Sequence, residues 1–69
     1  MDNSEISLLL RKKAVEAVNE STEMLKQAVV LLKSGNRQQA EGLQNEARAK
    51  RNNSVWLMRK ANKLENDSS

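Results

Sequence analysis

The chain has 69 residues, 12 Lys+Arg against 9 Asp+Glu, and neither Cys nor His. Disulfides, thiolate or imidazole metal sites and Cys- or His-based catalysis are therefore excluded. The net charge of +3 permits weak attraction to anions and demands none.

Pro is absent, Gly occurs twice and Trp56 is the only aromatic residue, in a composition rich in Ala, Leu, Glu, Lys, Gln and Arg. Such a chain favours helix over strand and predicts one all-α domain over residues 1–69 with no cofactor. No apolar run approaches the roughly 20 residues that span a bilayer. "ISLLL" is too short for a signal segment and follows acidic residues. A soluble, cytoplasmic chain is expected.

The first helix is expected over about residues 4–34. Asp2 stands as N-cap with Glu5 three residues on, the spacing of a capping box. An apolar stripe then repeats at helical spacing through Leu10, Ala14, Ala17, Val18, Ser21, Met24, Leu25, Ala28, Leu31 and Leu32, interrupted only by Ser21. The helix should stop at "SGN", where Gly35 suits the left-handed position after a helix end. Asn36 can cap the next helix, with Gln39 at the reciprocal position. So short a connection favours an antiparallel hairpin.

The second helix is expected over about residues 37–65. Its seam reads Ala40, Leu43, Ala47, Lys50, Ser54, Leu57, Ala61 and Leu64, in alternating three- and four-residue steps. "RNNS" (Arg51 to Ser54) is a candidate break, because Asn and Ser prefer caps to helix interiors. A break would start a short third helix over "VWLMRKANKLE"; continuity is the favoured reading. Two helices packed along one seam cannot hide every aliphatic residue. Leu8, Leu9, Val15, Val29, Val30 and part of "VWLM" are left outside, a surface that another protein or a second copy would cover.

"VWLM" (Val55 to Met58) covers a whole helical turn, so no single face hides it. Trp56 and Met58 are candidate anchors for a partner, with Val55, Val29 and Val30 as the other candidate partner-binding residues. Arg48, Lys50, Arg51, Arg59, Lys60 and Lys63 form a basic cluster. It lacks interleaved aromatics and a known nucleic-acid fold, so it reads as a solvated face rather than a phosphate reader. Glu16, Glu20 and Glu23 have no His beside them and read as surface. Gly35 and Gly42 make no phosphate loop. No residue pattern points to catalysis, and no enzyme is expected.

The stretch with Gly35, Gln38, Gln39, Leu43, Gln44, Ala47, Arg48 and Ala49 resembles the start of the second helix in the small co-chaperones of type III secretion needle subunits. Where that family continues with aliphatic residues, this chain has Lys50, Arg51, Asn52 and Asn53. The resemblance implies a helical hairpin bound to a tetratricopeptide-like chaperone, the pair keeping a needle subunit soluble in the cytoplasm. "AVVLLKSGNRQQA" is also similar to the helix–turn–helix of microtubule-interacting-and-transport domains. That resemblance implies a third helix over "LMRKANKL" and a peptide-binding role in protein trafficking.

Overall fold

The computed structural model describes residues 2–68. Two helices, α1 (Asn3–Lys33) and α2 (Arg37–Ser68), form an antiparallel hairpin. It is a rod with extents of 52 × 13 × 13 Å and a radius of gyration of 15.7 Å. A compact domain of this length would have roughly 11 Å, so the chain has length instead of a thick core.

Each end of α1 is closed by the residues that the sequence offers. Asp2 Oδ1 accepts a hydrogen bond from the Glu5 amide at 2.9 Å, which satisfies one donor of the first turn. At the other end Gly35 has φ +87°. Its N–H bonds Leu32 O and the Asn36 N–H bonds Leu31 O, the paired bonds of a Schellman motif. The Asn36 carbonyl accepts from Ala40 N and opens α2. The Asn36 side-chain amide donates back to Ser34 Oγ at 3.2 Å. Helix α1 ends one residue earlier than expected and α2 runs three residues further.

Helix α2 is continuous through Asn52, Asn53 and Ser54. The third helix implied by the trafficking-domain resemblance is therefore absent among the described residues. Ser54 explains why the break does not occur. Its hydroxyl is not spent on a cap but donates across the seam to Ala14 O at 2.9 Å, so tertiary bonding offsets the local preference.

The seam is built from small side chains on two seven-residue ladders. On α1 the ladder is Ser7, Ala14, Ser21 and Ala28; on α2 it is Ala40, Ala47, Ser54 and Ala61, and all eight are buried. Ser7 Oγ lies 3.4 Å from Ala61 O and Ser54 Oγ 2.9 Å from Ala14 O, which fixes the register. Ser7 faces Ala61, Ala14 faces Ser54, Ser21 faces Ala47, and Ala28 faces Ala40. A serine oxygen is one atom beyond Cβ, so these bonds demand close backbones, at the near end of the roughly 8–10 Å interaxial range. The largest side chains below 2 % exposure are serines.

Beside this ladder runs a second seam position, Leu10, Ala17, Met24 and Leu31 on α1 with Leu43, Lys50, Leu57 and Leu64 on α2. Ala17 and Leu57 are buried there and the others half-buried. The expected α2 seam is the observed one, residue for residue. On α1, Val18 and Leu32 were expected in the packing stripe but are each 42 % exposed. Ser7 packs instead, and Ser21 belongs to the seam rather than interrupting it. Small-to-small complementarity brings the ladders face to face and rotates the two larger residues outward.

Candidate functional site

The seven-residue repeat sets what each side of the rod carries. On α1, the positions one and four beyond the Ser7 ladder fall on one flank: Leu8, Val15, Thr22 and Val29, with Arg11, Val18, Leu25 and Leu32. The same flank of α2 carries Glu41, Gln44, Arg48, Arg51, Val55, Met58, Asn62 and Glu65. Two shallow depressions confirm that these sets meet. One, of about 180 Å³, is lined by Ala14, Val15, Val18, Ser54 and Met58. The other, of about 310 Å³, is lined by Leu25, Gln44, Ala47, Arg48 and Arg51.

Helix α1 thus has two apolar faces about 100° apart, one spent on α2 and one open. Counting Arg11 and Thr22, the open row has the three- and four-residue steps of a packing stripe, apolar at six of its eight positions. Leu8, Val15, Val18, Val29 and Leu32 are exposed and Leu25 is half-buried. The rod has 5234 Å² of accessible surface, whereas a compact monomer of 7.8 kDa would expose roughly 4,400 Å².

Among the expected partner-binding residues, Val29, Val55 and Met58 lie on this flank, while Val30 and Trp56 fall on the opposite side. All five are exposed. Val29 sits near the turn and Val55 toward the other end, about 24 Å apart at 1.5 Å per residue. They do not form one patch. Trp56 is 55 % exposed, and Lys60 Nζ stands 4.6 Å from its ring centroid, a cation–π contact within one helix. The residues that continue the flank are Val18, Leu25 and Leu32, which the sequence pattern alone assigns to the packing stripe. Their second stripe was present in the spacing Leu8, Val15, Val18, Leu25, Val29, Leu32.

The open end of the hairpin is tied by a polar cluster. The Arg11 guanidinium donates to both Glu65 carboxylate oxygens, at 3.0 and 2.6 Å, and to Asn62 Oδ1 at 2.6 Å. An Arg11 N–H also points at Met58 Sδ, 3.9 Å away. Ser7 Oγ donates to Glu65 Oε1 at 2.6 Å. The bonds from Arg11 and then Ser7 hold the Glu65 carboxyl down at about 2, and the same pairing raises Arg11. On the other flank Lys50 Nζ reaches Glu20 at 2.6 Å, and that hydrogen bond raises the lysine. The stem of Lys50 fills a seam position while its ammonium leaves for water.

The basic cluster is therefore divided. Lys50 is paired with Glu20, Lys60 covers Trp56, and Arg48 and Arg51 rim the larger depression. Of the acidic set, Glu20 holds Lys50 and Glu23 holds Lys26 at 3.4 Å. Among the described residues no group of three or more acidic side chains is placed to hold a metal ion. No described helix is long and apolar enough to cross a membrane. Comparison of the chain with protein-family models, with curated proteins and with solved structures yields no match.

Proposed function

We propose that this chain is a non-enzymatic helical adaptor, a co-chaperone of the kind that the resemblance to type III secretion needle co-chaperones implies. In this reading it works in the cytoplasm. Its open flank is covered by a tetratricopeptide-like chaperone, and the pair keeps an aggregation-prone needle subunit soluble.

One observation carries the adaptor reading. Helix α1 presents a second apolar stripe, broken only at Arg11 and Thr22, that the hairpin leaves largely open, and single exposed aliphatics do not arrange themselves this way. The close small-residue seam supports the same reading, because it fixes both helices before a partner arrives. A pre-formed face loses little conformational freedom on binding.

The test is co-expression of the chain with a candidate chaperone and needle subunit, followed by size-exclusion chromatography. A complex should form in which Val15→Asn with Val18→Asn reduces assembly. The exposure of Trp56 predicts that Trp56→Ala leaves the melting temperature of the isolated chain nearly unchanged. Three components that migrate separately, or assembly indifferent to every flank substitution, would overturn the proposal.

A further inference from the structure

We infer that the open flank is read by an amphipathic helix of about 24 residues that carries carboxylates opposite Arg48 and Arg51. The inference rests on the adaptor reading and deepens it by naming the chemistry of the partner.

The length follows from the apolar row. Leu8 to Leu32 spans 24 residue steps, about 36 Å at 1.5 Å per residue, and the row, with Arg11 and Thr22 in it, keeps the heptad spacing that a helix lying alongside would match. The charge follows from the α2 rim. Toward the open end that rim is apolar, with Met58 and Val55. At its middle it is basic: Arg48 and Arg51 border the depression floored by Leu25 and Ala47. Both are exposed and neither is in an ion pair among the described residues. Of the carboxylates around them, Glu65 is bound to Arg11 and Glu20 to Lys50 on the far flank, while Glu41 stands one heptad before Arg48 toward the turn and is in no ion pair with either arginine. A guanidinium pair beside an apolar groove selects a partner carboxylate by charge-assisted bonds and rejects a basic helix by repulsion.

The same register argues against a second copy of this chain. The centre of the apolar row lies at the level of Glu20 and Ser21, and Ser21 faces Ala47, so Arg48 stands at that level. A two-fold axis through the row would set Arg48 and Arg51 of one copy against their equivalents in the other. Like charges face to face disfavour that pairing.

The probes are three synthetic 24-residue helices that share one Leu/Val stripe and carry Glu, Gln or Lys at the positions flanking its centre. Binding is read by fluorescence anisotropy of the labelled peptide. The Glu peptide should bind at least about tenfold more tightly than the Lys peptide, and R48E with R51E should invert that order. These two arginines are exposed, so the variant keeps the fold; circular dichroism verifies it. Val15→Asn with Val18→Asn should abolish binding of every peptide.

Equal binding of the Glu and Lys peptides overturns the charge reading and leaves the adaptor function standing. Undiminished binding by the Val15/Val18 variant overturns the location. Sedimentation that shows self-association abolished by that variant assigns the flank to a second copy and overturns the inference. A strict monomer that binds no peptide overturns both the inference and the adaptor reading beneath it.

Discussion

Ser21 offers the sharpest test of the seam. It is 1 % exposed, and its hydroxyl oxygen is buried with no hydrogen-bond partner among the described residues. Leaving such a group unpaired costs about 1–3 kcal/mol. Ala also exceeds Ser in helix propensity by about 0.5 kcal/mol. Against this, removing one oxygen leaves a void of about 10–15 Å³, worth about 0.3 kcal/mol at the usual cavity coefficient. Ser21→Ala should therefore stabilise the hairpin by about 1–3 kcal/mol, and each kcal/mol raises the melting temperature of a domain this size by about 4–8 °C. Ser54 is the internal control. It occupies an equivalent ladder position but bonds Ala14 O at 2.9 Å. Ser54→Ala loses a bond worth about 0.5–1.5 kcal/mol net and regains about 0.5 in propensity, so it should be neutral or destabilising. The assay is urea unfolding followed by circular dichroism at fixed chain concentration, since association shifts apparent stability. The two variants should move in opposite directions with unchanged m-value. Equal shifts of the same sign, or a less stable Ser21→Ala protein, would refute the account of the seam.

Three further outcomes follow from the same geometry. Ala47 faces Ser21 and is 2 % exposed, so Ala47→Leu should destabilise by about 1–3 kcal/mol through overpacking, although it adds apolar area; a higher melting temperature would show that the helices separate freely. A Cβ at Gly42 meets nothing within 4 Å, whereas Gly35 has φ +87°. Gly42→Ala should gain about 0.5–1 kcal/mol and Gly35→Ala should lose about 1–2, read from thermal melts; the same sign for both would contradict the turn. The Glu65 carboxyl sits at about 2 when folded against 4.5 unperturbed. A depressed carboxyl contributes stability that is fully present above 4.5 and is lost as pH falls through 2. Melting temperatures measured from pH 5 to 2 at low salt should therefore fall less steeply for Glu65→Gln than for the parent; parallel curves would remove the Arg11–Glu65 contact from the ledger of stabilising interactions.

Much of this hairpin was legible residue by residue. Asp2 and Glu5, Gly35 and Asn36 fix the ends of α1 through backbone geometry that any such chain obeys. The α2 seam from Ala40 to Leu64 follows from a single unambiguous stripe. Helix α1 is different, because it carries two stripes of equal period, and periodicity has no means of ranking them. Hydropathy favours Val18 and Leu32 over Ser7 and Ser21, and that order is reversed in the folded chain.

Local sequence determined that there would be two rods, where they turn, and that their aliphatic residues exceed what one seam hides. Which stripe closes and which stays open was decided only by tertiary packing. The closest approach is between two ladders of Ser and Ala, where hydroxyls reach the opposite backbone, and that choice exists only when both helices are present. The same choice placed Arg48 and Arg51 beside the exposed Val15 and Val18 and the half-buried Leu25, residues widely separated in sequence that share a surface solely because of the register.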